Sequence, residues 1–176
     1  MISMHHIRVA LATVTAALTA LVALACTASL HRPATGGTLR LTYHIAPLAT
    51  PDCVEARTPE RVSGTRPGGT ADGADAILTF HHAFYGLRSG TAAREVVATD
   101  ARVPSSADIQ VGIDSLPLGT RFCVHVTSAL AATDRVQRWN VEVAQQVPGA
   151  PEITHRQFVT TRVETGHTLI TAIAAV

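Results

Sequence analysis

The chain has 176 residues, with 14 basic residues, all Arg, against 13 Asp and Glu, and a formal net charge of +1. Once the N-terminal apolar stretch is set aside, about 150 residues remain, enough for one domain with its own core. Charges are scattered singly with no basic stripe, which argues against nucleic acid and acidic polymers as partners, and the absence of Lys fits the codon bias of a GC-rich bacterial genome.

Taken in chain order, the first element is an export signal over residues 1–25. Arg8, with His5 and His6, makes a polar start, and Val9 to Ala25 carries no charge. This run is short and rich in Ala and Thr, as a signal h-region is. Ala23-Leu24-Ala25 suits cleavage at a small-residue site. The same stretch, Val22-Ala23-Leu24-Ala25-Cys26, resembles the lipobox of bacterial lipoproteins, departing at Ala23, where that family usually carries Leu. The resemblance implies a diacylglycerol thioether on Cys26, which becomes the mature N-terminus, and a protein held on the outer face of the cell membrane. Plain cleavage implies a secreted protein instead, and an uncleaved segment implies an anchor. Three Cys is an odd number for an exported chain. With Cys26 lipidated, Cys53 and Cys123 remain as a pair for one disulfide.

Residues 26–37 form a tether, broken by Pro33, Gly36 and Gly37. The domain, 38–176, is expected to open with a strand, because Leu39, Leu41, Tyr43 and Ile45 alternate with polar residues. Residues 63–75 read as a long loop. Further strands are expected over Ala76–Tyr85, Glu95–Thr99, Ala107–Ile113, Phe122–Ser128 and Trp139–Val143. A last pair, Ile153–Val163 and His167–Ala175, flanks a turn at Glu164-Thr165-Gly166. Ser128–Arg135 has room for a short helical turn. The predicted fold is all-β, an antiparallel sandwich of about seven to nine strands. The predicted core is Leu41, Phe80, Ile109, Phe122, Val124, Val126 and Val141.

One stretch narrows the class of sandwich. Leu116-Pro-Leu-Gly-Thr-Arg-Phe-Cys-Val-His-Val-Thr-Ser128 is similar to the E–F corner and F strand of fibronectin type III domains. It matches at Leu116, Gly119, Thr120, Phe122, Val124 and Val126, with Phe122 in place of the corner Tyr. The resemblance implies an Ig-like sandwich.

Motifs for chemistry are scarce. Gly86-Leu-Arg-Ser-Gly90 has the wrong spacing for a nucleophile elbow, and there is no His-Glu-x-x-His, Cys-x-x-Cys or phosphate-cradling glycine loop. No pair of carboxylates or cofactor motif is evident. Seven His follow the signal, and His44, His81 and His125 are the candidates for a metal site, since imidazoles on neighbouring strands can converge. His44 and His125 share the polar face by alternation. The functional expectation is therefore a lipid-anchored, non-enzymatic binding, adhesion or assembly module without a cofactor. The alternative is a cell-envelope metal or small-ligand carrier that uses these His residues.

Overall fold

The computed structural model describes residues 48–129 and 135–176. Cys26, the tether, Leu41, His44 and the strand expected before Pro47 lie outside the described residues, as does most of the turn expected at 128–135. Two short strands, β1 (Ala56–Arg57) and β2 (Arg61–Gly64), come first. Helix α1 (Gly73–His81) follows and runs into a π-helical segment (His82–Leu87), then α2 (Gly90–Arg94), β3 (Val97–Arg102) and α3 (Ser106–Asp114). The last four strands are β4 (Arg121–Ser128), β5 (Val136–Gln146), β6 (Ile153–Glu164) and β7 (His167–Ala175).

Among the described residues the strands form one seven-stranded sheet, in the order β1-β2-β4-β5-β6-β7-β3. Neighbours are antiparallel except β3, which lies parallel to β7. The chain is thus mostly β, but the antiparallel Ig-like sandwich is not what forms. A single mixed sheet carries helices where a second sheet was expected. The cause lies in two apolar runs whose spacing satisfies a helix.

The first run is Ala76–Tyr85, expected as a strand. Asp72 caps it as a helix, its carboxylate accepting from the Asp75 N–H at 2.8 Å. Ala74, Ala76, Ile77, Leu78 and Phe80 are all buried, which suits a helix wedged against a sheet. The second run is Ala107–Ile113, where Ser105 caps and accepts from the Asp108 N–H at 3.2 Å. Ile109 and Ile113, one turn apart, face the core, whereas Val111 is 70% exposed. A strand would bury all three on one face; a helix buries only the pair at i and i+4. The supposed loop 63–75 is shorter than expected, since β2 extends to Gly64 and α1 begins at Gly73.

The C-terminal half matches its pattern closely. In β4, Phe122, Val124 and Val126 are almost fully buried, and Val124 and Val126 pair across to Val143 and Val141. The β6–β7 connection is a two-residue turn at Thr165 (φ 45°) and Gly166 (φ 86°). Two successive positive φ values make it type I′, the turn whose twist matches an antiparallel pair. Of the predicted core, Phe80, Ile109, Phe122, Val124, Val126 and Val141 are all buried, the first two from helices.

Cys53 and Cys123 form a disulfide, with Cα atoms 5.5 Å apart and inside the range a bridge requires. The segment it secures runs beside the start of β4. There the Phe122 N–H donates to the Leu48 carbonyl at 2.8 Å, and the Thr50 N–H donates to Phe122 at 3.3 Å. Among the described residues, no helix is long and apolar enough to cross a membrane. Reducing the disulfide is expected to cost about 4.4 kcal/mol on chain-entropy grounds. Hydrogen exchange should then show residues 48–57 losing protection first, while β4–β6 keep theirs.

Candidate functional site

Beyond the last Val of β5, the face of the sheet under the helices changes character. Val141 and Val143 continue in parity to Gln145, and in β6 the buried Val159 and Thr161 continue back to Gln157 and His155. These polar side chains look out under the π-helical segment and α3, leaving a cleft of about 370 Å³. Phe84 and Tyr85 form its aromatic wall, Gly112 and Leu116 its helical rim, and Gln145, His155 and Gln157 its sheet side. The volume lies within the span of small-molecule sites.

The aromatic wall is held rigidly. Tyr85 stacks on Phe122 with centroids 4.8 Å apart, and Phe84 meets Tyr85 edge to face at 4.9 Å. The Tyr85 hydroxyl donates to Gln145 Oε1 at 2.9 Å. Burial raises the Tyr85 pKa to about 12, so this group stays a donor. With its oxygen so engaged, Gln145 has its amide N–H₂ left for the cleft. Arg88, in the left-handed region at φ 52°, fixes the π-helical segment to α3. Its guanidinium donates to the carbonyls of Ile113 and Leu116 at 2.7 and 3.0 Å, tying it to the end of α3 and the residues just after it. Gly112 borders the cleft opposite Phe84; a Cβ there would meet that ring at an ordinary contact distance of 3.8 Å. Gln157 Oε1 is buried at the sheet side with no hydrogen-bond partner among the described residues.

The His residues singled out from the sequence do not come together. His81 closes α1, not a strand, and is buried at 3% exposure between Phe80 and Tyr85. His125 lies on the opposite face of the sheet, beside Arg61. His44 is outside the described residues. Among the described residues no three His, Cys, Asp or Glu side chains gather as a metal site would require.

A family described as a domain of unknown function (DUF8176) matches residues 50–174, almost all of the described chain. The chain belongs to this family. No curated protein matches it. A crystal structure from Nostoc punctiforme, described as a domain of unknown function with a cystatin-like fold, is similar at 16% identity and a TM-score of 0.47. The match covers 59% of this chain and 77% of that one.

Sequence reading missed Tyr85, Gln145 and Gln157 because none belongs to a catalytic or metal motif. A usable signal existed: polar Gln145 and Gln157 hold the parity of core valines, which marks a strand face leaving the core for a cavity.

His81 carries a pH dependence. Burial lowers its pKa from 6.5 to about 4, and its Nε2 has no partner among the described residues. Between pH 6.5 and 4 the unfolded chain binds a proton that the folded protein refuses. Stability present above pH 6.5 is therefore lost as pH falls through that window, by roughly 3 kcal/mol at its lower end. Urea unfolding at pH 7 and pH 4.5 should show this loss, and His81→Leu should flatten it.

Proposed function

We propose that this protein is a non-enzymatic ligand-binding module, exported and held to the membrane through lipid on Cys26, whose cleft takes a small uncharged molecule. The observation that carries the binding reading is the buried, unpartnered Gln157 Oε1 beside the cleft. A buried acceptor without a donor costs about 1–3 kcal/mol, and a small turn of the terminal amide offers it to a ligand N–H or O–H. Gln145 supplies the complementary donor, and Phe84 a ring face or edge. Neutral amides line the cleft where a charged ligand would call for ions. Arg156, at its mouth, is engaged by Glu142 at 3.0 Å. The reading of the anchor is supported by the cysteines, since the Cys53–Cys123 bridge leaves Cys26 as the odd one.

Benzamide, which offers an amide N–H₂, a carbonyl and a flat ring, serves as the probe. Titrated into the isotopically labelled protein, it should shift the Gln145 and Gln157 side-chain amides and the Gly112 backbone amide together. Gln157→Leu should weaken binding by about tenfold, the worth of one good hydrogen bond, and Gly112→Leu should abolish it by filling the cleft. Benzamide binding that is unchanged in both variants would overturn the cleft reading.

Membrane attachment is tested apart. Cys26→Ser should move the protein from the membrane fraction to the soluble fraction. An unchanged membrane fraction would count against the lipid anchor and leave the cleft untouched.

A further inference from the structure

The face of the sheet away from the helices carries a second constellation. Register places Ser63, His125, Glu142 and Arg156 in one row across β2, β4, β5 and β6. Arg61, Thr127, Asn140 and Phe158 form the next row. Between these rows lies a trough of about 410 Å³. Its charges are divided unequally. Glu142 and Arg156 neutralise each other, with Arg156 Nε donating at 3.0 Å. Arg61 forms no ion pair with a carboxylate among the described residues. Its Nη2 lies 2.6 Å from His125 Nδ1. A guanidinium has only donors, so His125 Nδ1 must accept and the ring proton must sit on Nε2.

The trough therefore presents one unneutralised cation beside an imidazole N–H. Thr127 and Asn140 add hydrogen-bonding groups, and the apolar wall is Phe158, 51% exposed, with Val176, 74% exposed. We propose that this trough is a second ligand site, taking a monocarboxylate with a short apolar chain. The carboxylate sits on Arg61 and the His125 Nε2–H, and the chain lies on Phe158 and Val176. Arginine favours a carboxylate because its fork matches the two oxygens. A dianion fits less well, because Glu142 stands directly across from His125 in the register. The proposal does not depend on the cleft, which lies on the other face.

Partial burial holds the His125 pKa below its ordinary value, Arg61 pushes it further down, and Glu142 and Glu152 oppose them. A carboxylate bound beside the ring adds negative charge, so it should raise that pKa.

The experiment follows the His125 ring signal by NMR in the full chain as hexanoate is added. A saturable shift is expected, together with an upward move of the His125 titration midpoint. Hexylamine, with the same chain and opposite charge, should leave the signal unmoved, and acetate should bind more weakly than hexanoate. Arg61→Gln, a change at an exposed side chain, should weaken hexanoate about tenfold or more. Phe158→Ala should reduce hexanoate to the affinity of acetate. An Arg61→Gln variant that binds as the parent does, or an equal response to hexylamine, would overturn the site. So would a hexanoate shift confined to Gly112 and the cleft.

Discussion

Helix α1 can lie on the sheet only because residue 73 has no side chain. A Cβ at Gly73 would collide with Trp139 and Thr161, whose indole N–H and hydroxyl are joined by a buried 2.9 Å hydrogen bond. The first turn of the helix thus approaches to backbone contact, and its start is fixed there. Asp72 caps it from outside, while Asp75, 7% exposed, pairs with the Arg57 guanidinium. A buried carboxylate without that partner would be costly. The position of the start sets where the helix ends, and so where the π-helical segment carries Phe84 and Tyr85. Since Tyr85 stacks on Phe122 of β4, helix and sheet are fixed relative to each other at both ends. The cleft is the space left beyond the second of these contacts.

The segment before β1 has a different kind of stability. Two backbone hydrogen bonds tie Leu48 and Thr50 to Phe122, each worth about 0.5–1.5 kcal/mol net. The disulfide closes a 70-residue separation and outweighs both together, at about 4.4 kcal/mol on chain-entropy grounds. Cys123 reaches it from the far side of β4, because Phe122 and Val124 on either side point into the core. One strand therefore serves two purposes. Its apolar parity builds the core, and its opposite parity holds the segment before β1 by a covalent bond, of the kind that oxidising surroundings favour.

How much the sequence revealed followed from which signals were unambiguous. Strands β4 to β7 were legible because long runs of alternation leave no helical alternative, and Gly166 marks the turn between the last two. The helices were misread where a period of two coincides with part of a period near four. Ala107, Ile109, Val111 and Ile113 satisfy the first over seven residues, yet only Ile109 and Ile113 needed burial. The deciding residues stood just outside each run: Ser105 three before Asp108, and Asp72 three before Asp75, both capping spacings. The parallel pairing of β3 with β7 joins elements far apart in the chain and leaves no local trace. The disulfide was legible because cysteine parity and strand parity are independent constraints that agree. The cleft was not, because its defining residues are single polar side chains whose meaning depends on which strand ends first.

That last point concerns the lengths of β6 and β7. Strand β6 has 12 residues and β7 has 9, and their pairing ends at Gln157 and Ala175, with one further bond from the Val176 N–H to the Arg156 carbonyl. Among the described residues, 153–155 therefore pair with β5 alone. Such an edge invites pairing with another chain unless polar and charged groups defend it. Here Thr154, His155 and Arg156 do so, with Pro151 just before the strand. Both cavities lie along this part of β6. On the helix side the cleft is lined by Gln157, and on the far side the trough is lined by Phe158. Residues that follow one another in β6 thus face separate cavities of different chemistry, one lined by amides and aromatics and the other by Arg61 and His125. A strand alternates its faces by necessity, so successive residues of one strand can line two sites on opposite faces.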